Sequence, residues 1–251
     1  MAETLKTLSV MSFNISSGLT LDESLDLELT ASVIEKSGAD IAGLQEVDQN
    51  FSDRTDFTDQ VKWLANRLGM HAAFGPNLIA YPSIDRFPLQ AYGNATFSRH
   101  PVKSYRNHLL EKLELGSESE QRGLLEATIE VEGESIAFFN THLSLNRKQL
   151  KLNIEELLGI IRQKKLPAIL TGDFNAAPDS PHIKRVEEEL NNVFETAAEQ
   201  PETYKKEGDH GQKIDYIFCS RHWEVLSMER IETEASDHWP ILAILKFPPE
   251  A

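Results

Sequence analysis

A chain of 251 residues with a single cysteine and a formal net charge of −15 has ample material for a large core, and the lone Cys219 excludes an internal disulfide framework and a cysteine-based zinc cluster. Its basic residues cluster no further than pairs such as Lys164-Lys165 and Lys205-Lys206, which disfavours a grip on long duplex DNA, because that affinity comes from lysine and arginine contacts that release counterions. No repeat or linker composition marks a boundary, so residues 1–251 are expected to form one domain, and with no signal-like start and no apolar run of the ~18 to 20 residues that span a bilayer the expected location is cytoplasmic.

Residues 8–13 read as an opening strand that ends at Asn14. Leu25, Leu29, Val33 and Ile34 make a helical stripe over 25–36, with Gly38 where a terminator is expected. A second buried strand at 41–44 delivers Gln45 and Glu46 at its end. After a polar loop with Asp48, Asp53 and Arg54, a further stripe of Val61, Leu64, Ala65 and Leu68 is closed by Gly69. Strands are expected at 70–74, 92–97, 124–131 and 136–140, the last two joined by a tight turn at Glu132-Gly133-Glu134. Between them, 75–88 and 113–121 read as long loops of the kind that shape sites.

Residues 146–162 put Leu150, Ile154, Leu157, Leu158 and Ile161 on one helical face. The apolar run 168–170 is a buried strand, broken by Thr171-Gly172 just before Asp173 and Asn175. Residues two apart in extended backbone point the same way, so this pair faces one point beyond the strand end. Taken alone, Gly-Asp followed by Asn is also ordinary turn chemistry. Ser180 and Pro181 suit an N-cap and a first helical residue, and the chain closes on strands at 213–219, 223–231 and 241–247. Hairpins mixed with helical crossovers imply mixed sheets, and this many strands suggests two sheets packed together with helices outside.

Polar residues recur where these strands end. Glu46, with Asn14 and Asp237, offers hard oxygen ligands that suit Mg²⁺ or Mn²⁺. His142 and His238 can titrate near neutrality or donate to an anionic oxygen. A divalent cation, two histidines and several carboxylates together suit hydrolysis of a phosphate ester. Asp215 stands inside the apolar strand Ile214-Asp215-Tyr216-Ile217-Phe218, where a charge is costly without a partner. Arg54 and Arg122 are by default surface charges and are retained as candidates for phosphate contact.

Six segments in order resemble the endonuclease/exonuclease/phosphatase superfamily of DNase I-like hydrolases: Ser12-Phe13-Asn14-Ile15, Leu44-Gln45-Glu46-Val47, Asn140-Thr141-His142-Leu143, Gly172-Asp173-Phe174-Asn175, Ile214-Asp215-Tyr216 and Ser236-Asp237-His238. None is specific alone, but the ordered set is. The resemblance implies an α/β (α+β) fold, a four-layer αββα sandwich of two mixed β-sheets flanked by helices. It implies Glu46 as principal metal ligand with Asn14 and Asp237 nearby, and His142 on the scissile phosphate. Asp173 and Asn175 would position or activate water and bind phosphate, and Asp215 would orient His238 for acid/base work or transition-state stabilisation. Which of Asp173 and His238 is the base stays open.

Departures narrow the substrate. Ser16 and His142 stand where abasic-site endonucleases usually have Asp and Tyr, and Lys213-Ile214-Asp215-Tyr216 replaces the Trp-Cys-Asp-Arg element of inositol polyphosphate 5-phosphatases. The His-Thr-Gln segment of neutral sphingomyelinases is missing from the sequence. Tyr92-Gly93-Asn94-Ala95 and Gln121-Arg122-Gly123 look like the bacterial metal-dependent hydrolase branch. The expected activity is a Mg²⁺- or Mn²⁺-dependent phosphodiesterase or phosphatase on a small or flexible substrate, such as a nucleotide, a short single strand or a lipid head group. The alternatives are a nucleic-acid endonuclease or exonuclease and, less favoured, an inactive binding module on the same scaffold.

Overall fold

Two chemistries alternate along the first strand, β1 (Thr7–Asn14). Successive side chains of a strand face opposite ways, and here Met11 and Phe13 join an apolar cluster with Ala31, Ile34, Val61 and Leu64, whereas Leu8 and Val10 belong to a cluster shared with the second half of the chain. The face of Leu8 and Val10 continues into Ser12 and Asn14, which are equally buried. One face of β1 thus turns from apolar to polar along its length.

This computed structural model describes residues 6–81, 88–114, 119–196, 201–205 and 211–247. In chain order follow α1 (Leu27–Ser37), β2 (Ile41–Gln49), α2 (Gln60–Leu68), β3 (His71–Ala80), β4 (Gln90–Ser98), β5 (Val102–Leu109), β6 (Gly123–Val131), β7 (Glu134–His142), α3 (Arg147–Arg162), β8 (Ala168–Asp173), α4 (Pro181–Glu187), β9 (Asn191–Asn192), β10 (Asp215–Cys219), β11 (Glu224–Arg230) and β12 (Ile241–Lys246). Among the described residues they make two mixed six-stranded sheets, ordered β11-β12-β1-β2-β4-β3 and β5-β6-β7-β8-β10-β9. Helices α1 and α2 pack on the first sheet through Ile34 and Leu64, and α3 and α4 on the second through Leu157 and Val186, giving the expected four layers.

Local signals set the helix ends. Asp26 and Asp59 accept hydrogen bonds from the backbone N–H groups of Leu29 and Lys62, and Gly38 and Gly69 close the same two helices with φ of 71° and 63°, a conformation glycine adopts without a Cβ penalty. Because Asp26 caps, α1 begins at Leu27, two residues later than its apolar stripe suggests. Ser180 caps α4 with Pro181 at its first position.

Three differences from the sequence reading have physical causes. β5 has no signal in the sequence: it is the edge strand of its sheet, and Lys103 to Arg106 are exposed, so no apolar alternation marks it. β3 continues to Ala80 through the first part of the expected loop, carrying Pro76 at a register shift before Leu78, which an edge strand tolerates. β2 runs past Glu46 to Gln49, with a bulge between Leu44 and Val47. The remainder of the two expected loops includes 82–87 and 115–118, which lie outside the described residues.

Candidate active site

Strand direction gathers the polar residues at one edge of the sandwich. β1 and β2 are parallel, as are β7 and β8, so Asn14, Glu46, His142 and Asp173 all lie toward C-terminal strand ends. β10 runs antiparallel to β8 and sets Asp215 opposite Asp173. β12 runs antiparallel to β1, pairing Ile241 with Ser12, so Asp237 and His238 just before it reach the Asn14 end.

The side chains form a connected set. Asn14 Nδ2 donates to Glu46 Oε1 at 3.1 Å and to Asp173 Oδ2 at 3.1 Å, while its Oδ1 accepts from the Ser16 backbone N–H at 3.0 Å. Asn175, at φ 49°, gives its backbone N–H to Asp173 Oδ1 at 2.9 Å and its Nδ2 to the Leu143 carbonyl at 3.0 Å. The same Nδ2 lies 3.1 Å from His142 Nε2. His142 Nδ1 faces Glu46 Oε1 at 3.9 Å, and its Nε2 stands 3.4 Å from Asp173 Oδ2. Asp215 Oδ2 bonds His238 Nδ1 at 2.9 Å, and His238 Nε2 points to Asp173 Oδ2 at 3.8 Å. The costly Asp215 therefore has a partner.

Burial gives these charges different fates. Burial first, then the positive charges of Arg122 and His238, hold His142 well below the usual imidazole range. A neutral His142 accepting from Asn175 at Nε2 keeps its proton on Nδ1, toward Glu46. For His238 burial presses the pKa down, but Asp215, then Asp173 and Asp237, overcome it and carry it up to about 10. Burial and the Asp215 charge push Asp173 up to about 7, against the pull of His238. At neutral pH the edge thus holds a fixed imidazolium beside a carboxyl near its midpoint.

Asp173, Asp215 and His238 bring ligand atoms within 4.8 Å of one another. That trio is poorly suited to a cation, because an imidazolium with both nitrogens protonated offers no lone pair. Glu46 suits one better: Oε1 takes the Asn14 N–H, and Oε2 has no protein partner among the described residues. A hard divalent ion there would also offset the negative charge that raises Asp173.

Arg122 is buried, with Nη1 2.9 Å from Glu120 Oε1 and its Nε without a hydrogen-bond partner among the described residues. Arg54 gives Nη2 to Ser17 Oγ at 2.7 Å and Asp48 Oδ1 at 3.2 Å, and stands 5.7 Å from the centre of the Tyr92 ring. Sequence reasoning did not place Tyr92 or Tyr204 in the site. Burial, then the Glu46 and Glu120 charges, raise the Tyr92 phenol well above its usual value, and the Tyr204 ring lies 4.7 Å from that of His238. Thr203 Oγ1 accepts the backbone N–H groups of Ile214 and Asp215 at 3.1 and 3.0 Å. No apolar run flags 203–204, which reach the edge by pairing with Gln212 and His238.

Comparison places this geometry among known proteins. A model of the endonuclease/exonuclease/phosphatase family matches residues 11–238. Among solved structures, an endonuclease/exonuclease/phosphatase from Beutenbergia cavernae superposes with a TM-score of 0.83 at 22% identity, over 97% of this chain and 72% of that one. A family protein from Bacteroides thetaiotaomicron gives 0.78 at 18%, over 98% and 99%. A mannosyl-6-phosphatase of the same organism gives 0.75 at 20%, over 96% and 100%. At these identities the likeness is one of fold, the DNase I-like sandwich. No curated protein matches in sequence.

Proposed function

The chain belongs to the endonuclease/exonuclease/phosphatase family, a family of phosphoester hydrolases, and from that premise we propose that it is a Mg²⁺- or Mn²⁺-dependent phosphodiesterase or phosphatase for a small or flexible phosphorylated substrate. The whole chain acts as one catalytic domain. The observation that carries the reading is the buried relay in which Asp215 fixes His238 at 2.9 Å and His238 Nε2 faces Asp173 at 3.8 Å. It sets a permanent positive charge beside a carboxylate able to accept a proton, as attack of water on phosphorus requires.

Glu46 and Asp237 would hold the cation, which when bound supplies Lewis-acid polarisation of a phosphoryl oxygen. Asn14 keeps Glu46 and Asp173 in place through its two N–H bonds. Because His238 keeps its proton to about pH 10 and Asp173 loses its own near 7, Asp173 is the group free to take a proton from water. His238, held by Asp215, offsets charge on the phosphoryl oxygens. His142 contacts the phosphate, Asn175 does so by turning toward it one of the two Nδ2 hydrogens otherwise given to His142 and Leu143, and so does Arg122, whose Nε is uncommitted among the described residues. Arg54 lies beside Tyr92 with one nitrogen bound to both Ser17 and Asp48. Among the described residues, a buried Arg122 paired with Glu120 and a tethered Arg54 favour a compact phosphate over a long polyanionic strand.

Hydrolysis of bis-p-nitrophenyl phosphate, p-nitrophenyl phosphate, a hexose 6-phosphate and supercoiled plasmid, each with Mg²⁺, Mn²⁺ or EDTA, tests the reading. Metal-dependent turnover of a small ester, lost in Asp173→Asn and His238→Ala, is the expected result. Plasmid cleavage alone, abolished in Glu46→Ala, would move the assignment to a nuclease. Neither turnover nor Mn²⁺ binding would point to an inactive binding module.

A further inference from the structure

Buried polar side chains that take no part in the proposed chemistry collect between the two sheets: Ser12, Gln45, Asn140 and Thr171. Burying such groups is unfavourable unless their bonds are met. They surround the bulge of β2. Leu44 pairs with Ala95 and Val47 with Gly93, so Gln45 and Glu46 together oppose only Asn94, the two-against-one pattern of a β-bulge. Within it Glu46 stands at φ 57°, a left-handed conformation that a residue other than glycine keeps only where its surroundings over-determine it.

Asn140 supplies that surrounding from the opposite sheet. Its Nδ2 donates to the Leu44 carbonyl at 2.8 Å and the Ala95 carbonyl at 2.9 Å, the paired residues at the mouth of the bulge. Its Oδ1 accepts from Gln45 Nε2 at 2.6 Å and lies 3.2 Å from Thr171 Oγ1, whose single proton it shares with the Phe139 carbonyl at 3.2 Å. Two donors and two acceptor sites are all that an asparagine amide has, and since carbonyls cannot donate, the nitrogen must face Leu44 and Ala95. Gly43 makes the room: a Cβ there would lie 2.1 Å from Thr171 Oγ1 and 3.0 Å from Asn140 Cγ. Asn140 also precedes His142 by two residues on β7 and shares its face, so one strand face carries both the strut and the histidine that confronts Glu46.

We propose that Asn140 is a positioning residue for Glu46, a strut between the sheets that locks the β2 bulge and so sets where the Glu46 carboxylate stands relative to His142 and Asp173. Glu46 presents its oxygens from a left-handed backbone that the second sheet holds. The functional consequence rests on the reading of Glu46 as the cation-binding carboxylate.

The test compares Asn140→Leu with Asn153→Leu, a buried asparagine of α3 that donates to the Glu111 carbonyl at 2.8 Å away from the bulge. Thr171→Val, which removes one bond to Asn140 and keeps the side-chain shape, serves as a milder variant should Asn140→Leu fail to fold. Two readouts are taken on each folded protein, hydrogen–deuterium exchange of residues 44–49 and Mn²⁺ affinity by calorimetry. Asn140→Leu should exchange this segment faster and bind Mn²⁺ about 10- to 100-fold more weakly, the usual cost of losing a group that orients a ligand. Thr171→Val should shift both in the same direction by less, and Asn153→Leu neither. Unchanged exchange at 44–49 in Asn140→Leu, or in Thr171→Val where only that variant folds, overturns the strut. Equal weakening by Asn140→Leu and Asn153→Leu overturns it as well, as general loosening. If wild type binds no Mn²⁺ while Asn140→Leu still frees 44–49, the cation reading of Glu46 has failed and the strut stands.

Discussion

Asp215→Asn removes one negative charge 2.9 Å from His238 Nδ1 while keeping the side-chain shape. Opposite unit charges at that separation interact by about 6 kcal/mol at an effective dielectric near 20, or roughly four pH units at about 1.36 kcal/mol each. Burial presses His238 down, and this attraction is the largest of those that oppose it, with the Asp215 hydrogen bond and the Asp173 and Asp237 charges supplying the rest of the rise to about 10. Without it the imidazolium should lose its proton at neutral pH. Histidine NMR should show the His238 titration moving from the alkaline range to below its ordinary value. Turnover at pH 7 should fall by about 10² to 10⁴-fold, with Mn²⁺ affinity near wild type. An unmoved titration, or a large loss of Mn²⁺ binding, would refute the reasoning, the latter by making Asp215 a ligand. Stability supplies a second check in EDTA. The folded pKa of His238 lies above its unfolded value, so the pair's contribution is whole below about pH 6.5 and disappears as pH rises through about 10. The urea midpoint of wild type should decline across that window, and that of Asp215→Asn should stay flatter.

Glu46→Ala should abolish Mn²⁺ binding and metal-dependent turnover, yet change unfolding free energy by no more than about 1 kcal/mol, since the side chain is partly exposed and packs in no core; calorimetry and urea titration read the two effects separately. Arg122→Ala should lower kcat/KM about 10- to 100-fold through KM, the equivalent of one charged hydrogen bond of about 1.5 to 3 kcal/mol; unaltered kinetics on every ester would remove Arg122 from the site. Gly43→Ala should destabilise by about 1 to 3 kcal/mol, because the new methyl would fall 2.1 Å from Thr171 Oγ1, and an unchanged urea midpoint would mean that the sheets can part there.

Much of this edge is legible because the chain writes it as polar residues at the ends of apolar strands. Asn14, Glu46, His142 and Asp173 follow strand-forming runs, and parallel pairing of β1 with β2 and of β7 with β8 turns that local pattern into a shared edge. Asp215 could be singled out because a carboxylate in Ile-Asp-Tyr-Ile-Phe has to find a partner. Other features have no local signature. β5 is hidden because an exposed edge strand needs no apolar face. The left-handed backbone at Glu46 arises from a two-for-one register between strands far apart in sequence. Tyr204 arrives by a bridge to His238, and tertiary pairing of that kind leaves no periodicity to read.

The acidic balance of the chain takes on a different meaning at this edge. Glu46, Asp173, Asp215 and Asp237 outweigh the single imidazolium of His238 in their midst, and burial together with the Asp215 charge carries Asp173 up to about 7. An anionic phosphate would meet repulsion from such a cluster unless a cation arrived with it or before it. A cation at Glu46 would attract the phosphate and draw Asp173 toward its ionised form, so metal, substrate and the available base favour one another. Falling pH would act against all three, because each proton taken by Asp173 would remove both a base and part of the negative field available to a cation. The same excess of carboxylates that disfavours a nucleic-acid grip would therefore couple metal binding to the state of Asp173.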